Sequence, residues 1–159
     1  MTSTRSPEQR LTELGLSLPE PPSAGGNYVS AKTVGSLVFL AGVISAGPDG
    51  LITGTAGADR MLEDAHAAAR ACALTQLAVL RAHLGSLDRI RQIVSVNGYV
   101  NAVAGFPSAP QVVNGASDLL IEVFGEAGRH VRAAVGVSSL PRNALVEIQM
   151  TVEIAPEGD

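Results

Sequence analysis

The chain has little from which disulfide bridges, metal centres or aromatic stacking surfaces could be built. It contains one cysteine and no tryptophan, and aromatic residues make up 3% of its 159 positions. The lone cysteine, Cys72, cannot form an internal disulfide, which is typical of a reducing compartment. His66, His83 and His130 are scattered without the spacing of metal ligands. We therefore expect no metal site. His130 could approach a site formed near Arg132, but a surface role is favoured.

Positive charge is also scarce. Eleven Lys and Arg residues stand against fifteen Asp and Glu residues, which gives a net charge of −4 at pH 7, and the basic residues form no cluster. Nucleic-acid binders usually combine a basic surface with aromatic residues on which bases stack. Nucleic acid is therefore disfavoured as a partner.

Long uninterrupted apolar stretches are missing too. The most apolar long window, residues 62–84, is interrupted by Arg70, Gln76 and Arg81, so it is unsuited to span a bilayer. No apolar region follows the polar N-terminus, so we expect no secretory signal and a cytoplasmic location. Hydrophobic residues nevertheless make up 46% of the chain. Either the core is large, or a second copy covers part of an apolar surface.

Residue periodicity predicts an α+β domain over residues 27–156, preceded by a polar arm and loop over 1–26. Apolar residues recur every three or four positions at about 60–84 and 109–124, which predicts two helices. Asp59 and Ser108 are the expected N-caps of these helices, and Gly85 and Gly125 are the expected ends. Strands are predicted at about 27–31, 37–42, 51–53, 90–100, 131–137 and 144–154. This order favours a sheet with both helices on one face.

Alternation along the last two strands predicts which side chains face the helices. The apolar sets are the alternate residues 131–137 and 146–154, and we place these sets under the helices. Arg132 and Glu147 are then expected to project from the opposite, helix-distal face, where they meet directly or across a subunit boundary. The alternative is that both are ordinary charges on a solvated face.

Two features favour a ligand site and an oligomer. Arg132 is surrounded by small residues in the run RAAVG, which leaves room for a ligand. The run LVFLAG at 37–42 is continuously apolar, which indicates burial on both faces of the sheet. A neighbouring copy of the chain is the simplest cover for the helix-distal face.

The segment HVRAAVGVSSLPRNALVEIQM resembles the most specific signature of the RidA/YjgF family, the reactive intermediate deaminases that are also described as L-PSP endoribonuclease-like. Weaker resemblance extends over GNYVSAKTVGSLVFLAG, the Ala-rich helix, IRQIVSVNGYVNA and VVNGASDLLIEVFG. The resemblance implies a chorismate-mutase-like mixed sheet with two helices packed on one face. It also implies a homotrimer with a ligand-binding cleft between each pair of subunits.

Members of this family commonly hydrolyse enamine and imine intermediates, such as 2-aminoacrylate, to a 2-keto acid and ammonia. The resemblance implies that Arg132 holds the carboxylate of a small substrate and that Glu147 positions or activates water. The other implied contacts are Tyr28 and Asn114, which line the cleft, and the backbone of Gly42 and Ala134. Because such intermediates are already reactive, neither a metal nor an organic cofactor is required.

The chain departs from the family pattern beside this site. It has Ala41-Gly42-Val43 where many members read S-G-Q, and Ala134 where many have a cysteine. The first change removes a hydroxyl and an amide from the expected cleft. Two alternatives therefore stay open, namely a non-enzymatic trimer that binds 2-keto or amino acids, and an enzyme of specialised metabolism that uses the same cleft.

Overall fold

The computed structural model describes residues 4–156. Its helices are α1 (Pro7–Glu13), α2 (Leu62–Leu84) and α3 (Ala109–Phe124). Its strands are β1 (Ala31–Val34), β2 (Leu37–Leu40), β3 (Val43–Ile44), β4 (Ala46–Gly47), β5 (Gly50–Leu51), β6 (Ile90–Asn101), β7 (Val131–Val137) and β8 (Val146–Ile154). Short 3-10 turns lie at Leu87–Arg89, Gly125–Gly128 and Pro141–Asn143.

The main sheet has the strand order β1-β2-β8-β6-β7, and β3 also pairs with β8. All pairs are antiparallel except β6 with β7, which is parallel. Helices α2 and α3 pack against each other and against one face of this sheet. Their crossing is close, since a Cβ on Gly115 would lie 2.0 Å from the backbone oxygen of His66. The α+β class with two helices on one face is confirmed.

The sheet bends at a β-bulge between β2 and β3. Phe39 opposes Thr151 but Val43 opposes Ile148, so four steps on one strand match three on the other. The Nε2 amide of the fully buried Gln76 in α2 donates to the backbone oxygens of Ala41, at 3.0 Å, and Ile148, at 2.9 Å. Gln76 thus satisfies carbonyl groups that the bulge removes from the regular ladder.

The predicted polar arm and loop contain one helix, α1. Ser6 caps this helix in a capping box with Gln9, and Pro7 occupies the first turn. The Glu8 carboxylate binds Arg81 of α2 through two hydrogen bonds of 3.1 and 2.6 Å and accepts a third from the Leu87 N–H. A helix this short is stabilised by such tertiary contacts rather than by its own propensity. Residues 1–3 of the predicted arm lie outside the described residues.

Most other predicted elements are close to the observed ones, with three differences. The first strand begins at Ala31, where the predicted one ended, and the predicted strand at 51–53 is a β4–β5 hairpin. Met61, rather than Asp59, is the N-cap of α2, because the Asp59 carboxylate accepts the Thr55 N–H at 2.7 Å. Helix α3 and strand β7 have the predicted bounds, and α2 ends at Gly85 as expected.

We predict that Gln76→Leu lowers the free energy of unfolding by about 1–2 kcal/mol, because the buried Ile148 carbonyl and the partly buried Ala41 carbonyl lose their donor. Removal of the buried, unpartnered Oε1 of Gln76 offsets part of this loss. The measurement is urea denaturation at neutral pH. The neighbouring variant Thr75→Val is the control, since the Thr75 hydroxyl bonds only to the Ala71 carbonyl of its own helix and its loss costs less than about 1 kcal/mol. Equal losses in the two variants would contradict the role of Gln76 at the bulge.

Candidate active site

Arg132 lies on the helix side of the sheet, not on the helix-distal face that alternation predicted. It stands opposite Val96, which is fully buried and itself opposes Met150 beneath the helices. Residues 131, 133 and 135 are exposed instead. The prediction failed because β7 is an edge strand beyond the cover of α2, so apolar side chains on its outer face meet no helix.

Three groups of α3 hold the guanidinium of Arg132. Its Nη1 donates to Asn114 Oδ1 at 2.8 Å and to Ser117 Oγ at 3.1 Å, and its Nη2 donates to the Pro110 carbonyl at 3.1 Å. Asn114 therefore lies beside Arg132, and Ala134 follows on the same face of the strand. The Arg132 side chain is thus oriented by three contacts rather than free in solvent.

His130 completes this group. Its Nδ1 lies 2.6 Å from the Gly128 carbonyl and its Nε2 lies 2.8 Å from Ser117 Oγ. Burial lowers the pKa of the His130 imidazole, and the neighbouring Arg132 cation acts in the same direction. A neutral ring that donates from Nδ1 accepts the Ser117 hydroxyl proton at Nε2, which leaves Ser117 Oγ free to accept from Arg132. The expected surface role for His130 was wrong, and we call Asn114, Ser117, His130 and Arg132 the arginine cluster.

Glu147 lies elsewhere, in a cavity of about 970 Å³ beside the short edge strand β3. It pairs with Tyr99 and Ile44 across the sheet, on the face opposite to Arg132. Tyr28 and Gly42 line the same cavity, which we call the Glu147 cavity. A Cβ on Gly42 would lie 2.7 Å from Glu147 Oε2, so a larger residue here would push the carboxylate from its present position.

The Glu147 carboxylate is partly buried and has no hydrogen-bond partner within residues 4–156. Burial raises the pKa of this carboxyl above its ordinary value. Such a group exchanges a proton more readily near neutral pH than an exposed glutamate does. Glu147 is therefore suited to transfer a proton to a molecule bound in the cavity.

One chain does not bring the two groups of residues together. Tyr28, Gly42 and Glu147 share the Glu147 cavity, whereas Asn114, Arg132 and Ala134 are not among its lining residues. The six residues thus form two separate parts, one beside α3 at the β7 edge of the sheet and one at the β3 edge, where α2 also lines the cavity. The sequence did not predict the contact of Ser117 with Arg132 or that of His130 with Ser117. These contacts join residues 13 to 15 positions apart, so no local sequence pattern reveals them.

Cys72 is a core residue, as expected. It is fully buried, and burial, reinforced by the nearby Glu147 charge, raises the pKa of its thiol. A buried thiol with a raised pKa is a poor nucleophile. Across residues 4–156, no group of three or more His, Cys, Asp or Glu residues is placed to hold a metal ion.

Comparison with known proteins identifies the family. The profile of the family described as "YjgF/chorismate mutase-like, putative endoribonuclease" matches residues 8–154. The chain belongs to this YjgF family. A curated relative, Protein TCP17 of Trypanosoma cruzi, is 42% identical over 146 residues, which cover 91% of each chain.

Two solved structures of the family are closely similar. The protein Atu1372 of Agrobacterium tumefaciens, whose function is unknown, is 42% identical with a TM-score of 0.86, and the match covers 94% of this chain and 92% of that one. A Shewanella oneidensis protein described as "a putative endoribonuclease" is 37% identical with a TM-score of 0.90, and the match covers 94% of this chain and 100% of that one. In the described part of this YjgF-family chain, no helix is long and apolar enough to cross a membrane.

We predict that Glu147→Gln raises the melting temperature by about 1–3 °C at pH 8. Because the carboxyl pKa is raised in the folded state, ionisation of Glu147 opposes folding, and this cost is absent at low pH and grows as the pH rises through the folded pKa. The advantage of the variant should therefore shrink towards pH 4 in thermal melts. Glu153→Gln, six positions along the same face of β8, is the control for the loss of a carboxylate from this strand and should not raise the melting temperature at pH 8. A destabilised Glu147→Gln at pH 8 would contradict this assignment.

Proposed function

We propose that the protein is a cytoplasmic enamine/imine deaminase that hydrolyses small carboxylate-bearing reactive intermediates, of the 2-aminoacrylate type, to a 2-keto acid and ammonia. The observation that supports this proposal is that the chain presents a cation for a substrate carboxylate, Arg132, and a proton-transfer group, Glu147, at two separate places. An oriented arginine with donors to spare lies on the helix face at the β7 edge of the sheet, and an unpartnered carboxylate projects from the other face at the β3 edge. A homotrimer would place the arginine cluster of one subunit against the Glu147 cavity of the next.

The exposed apolar side chains of the sheet support such an assembly. Phe39, Val131 and Val135 are 45%, 71% and 45% exposed. Phe39 stands opposite Thr151, and Val135 opposite Tyr99, so these side chains lie on the face that no helix covers. The outer edge of β7 is also unpaired in the described chain. Exposed apolar groups and an open strand edge are the features that a subunit interface covers.

The arginine cluster is suited to a carboxylate. A guanidinium has five N–H donors, and Arg132 uses three of them within the chain. The donors that are left, on Nε and Nη2, are the two that a carboxylate can bridge. Charge-assisted bonds of this kind are worth about 1.5–3 kcal/mol each, so two can account for much of the affinity for a small acid.

Glu147 is suited to the proton transfers of the reaction. Protonated, its carboxyl can donate to the enamine carbon and convert the C=C–NH₂ group into an iminium ion. The resulting carboxylate can then accept a proton from the water that attacks the iminium carbon. The re-protonated carboxyl then donates to the amino group of the carbinolamine and takes up the hydroxyl proton. The C–N bond breaks and the C=O bond forms, so one water is consumed and one ammonia is released with the keto acid.

We predict that the wild type accelerates the decay of 2-aminoacrylate generated in situ, followed by its absorbance. Arg132→Ala should lower kcat/KM roughly a hundredfold or more through lost carboxylate bonds. Glu147→Gln should lower kcat by about 10²–10⁴-fold through lost proton transfer. Arg129→Ala, which removes an exposed arginine that pairs with Glu126, and Glu153→Gln are matched controls with unchanged rates. A wild type that does not speed the decay would refute the deaminase.

Ala41 favours one alternative, a trimer that binds keto or amino acids without hydrolysing them, because its side chain brings no hydroxyl to the site. Titration calorimetry with 2-oxobutanoate separates the two functions. Binding that Arg132→Ala abolishes, in a wild type without hydrolytic activity, would identify the binding protein. Hydrolysis by the wild type would exclude it.

We also predict that the mass in solution by light scattering is three times the 16.3 kDa of one chain. Val131→Glu places a charge on the exposed apolar face and should shift the mass towards that of a monomer, with loss of activity. Arg129→Glu changes the charge of a nearby exposed position and should leave the trimer intact. A wild-type monomer would remove the proposed site, since one chain keeps Arg132 and Glu147 apart.

A further inference from the structure

The Glu147 cavity is much larger than a small reactive acid requires. Its volume is about 970 Å³, whereas pockets for drug-sized molecules span roughly 300–1,000 Å³. A substrate of the size of 2-aminoacrylate would occupy only a small part of it. In the proposed trimer, the arginine cluster of the neighbouring subunit would take up part of this volume, and the apolar part between the arm and α2 would remain for the substrate.

The walls of the cavity are mainly apolar. They come from the arm before β1, the β3–β5 region, one side of α2 and the turn before β8. The apolar lining residues include Leu18, Pro22, Val43, Ile44, Leu51 and Leu74. An aliphatic or aromatic group would gain free energy by leaving water for such walls. The charged side chains Glu20 and Arg142 also line the cavity, beside the apolar residues.

The outer wall is fixed to the body of the protein. Leu11 of α1 is 2% exposed, and Leu14, Leu16 and Leu18 pack against the core. Glu8 anchors α1 to α2 through Arg81. Further along the arm, the Gly25 N–H donates to the Tyr28 hydroxyl at 3.0 Å, which orients the ring at the cavity. The cavity is thus preformed, and a ligand need not pay to order its walls.

We propose that the substrate is an enamine or imine acid that carries a large apolar substituent, which the Glu147 cavity binds while Glu147 acts on the neighbouring carbon. This inference rests on the proposed function for the reaction and adds the class of substrate. Leu51, Ala71 and Leu74 line the cavity, and in this proposal their side chains contact the apolar substituent and limit its size. The reacting group stays small, and the apolar tail supplies the binding energy.

We predict a preference for long tails among imines made in situ by an L-amino-acid oxidase from alanine, norleucine and 2-aminooctanoate, with catalase present. Wild-type kcat/KM should rise along the series, by up to about fourfold for each methylene that is buried. Ala71→Leu fills the cavity from α2 and should lower the ratio of 2-aminooctanoate to alanine rates at least tenfold. Leu74→Ala enlarges the cavity and should raise that ratio.

The matched control is Ala67→Leu, one turn earlier on α2, at an exposed position outside the cavity. It makes the same change of side chain and should leave the ratio at the wild-type value. Melting temperatures of all variants show that each is folded. A ratio that Ala71→Leu and Ala67→Leu change equally would overturn the assignment of the cavity.

Failure of this inference can be told apart from failure of the proposed function. Activity on the alanine-derived imine with no gain for longer tails would overturn the inference and leave the deaminase standing. If no imine is hydrolysed, calorimetry with 2-oxooctanoate and pyruvate still tests the cavity. Tighter binding of 2-oxooctanoate that Ala71→Leu abolishes supports the apolar pocket, and equal affinities overturn it.

Discussion

The register of the central strands is the constraint on which the candidate site depends. Tyr99 stands between Glu147 and Val135, whereas Val96 stands between Met150 and Arg132. Because neighbouring residues of a strand point to opposite faces, this register puts Arg132 and Glu147 on opposite faces. No side-chain rotation can bring two groups together through a sheet whose middle is filled by buried valine and isoleucine. A chemistry that needs both groups therefore requires two copies of the chain, and the trimer that we propose is one assembly that would bring them together.

The surroundings of each group then follow from local packing. The bulge at Ala41–Gly42 brings backbone up to Glu147, and Gln76 supplies the donors that hold the bulge in place. Helix α3 holds Arg132 through Asn114 and Ser117, and His130 fixes the direction of the Ser117 hydroxyl. In both places a neutral, buried side chain orients a group of the candidate site: Gln76 holds the backbone of the bulge, and Ser117 holds the guanidinium of Arg132. Orientation of this kind lowers the cost of binding, because fewer groups must be ordered when the ligand arrives.

Sequence patterns predicted the long elements well and the special positions poorly. Helix α3 and strand β7 were predicted to the residue, since caps, glycine ends and strong periodicity agree there. The face of Arg132 was predicted wrongly, because alternation identifies two faces but not which one a helix covers at an edge strand. Helix α1 was missed because prolines and glycines dominate residues 19–26, while its stabilising contact, Glu8 with Arg81, joins residues far apart in the chain. The bulge and the Ser117–His130 contact are likewise invisible to any local pattern.

The same helix α1 links the fold to the choice of substrate. Without its anchor on α2, the arm that follows it would have no fixed position, and the Glu147 cavity would lose its outer wall. A partly buried carboxylate without a hydrogen-bond partner opposes folding, and so do the left-handed backbone conformations of Arg142 and Asn143 at the cavity edge, with φ of 56° and 59°. The well-packed core beneath α2 and α3 offsets these costs. Features that lower stability and cluster around one cavity are expected where binding and proton transfer, rather than folding, have determined the residues. That clustering favours the Glu147 cavity as the site of the proposed function, with Arg132 as the group that a neighbouring copy would bring to it.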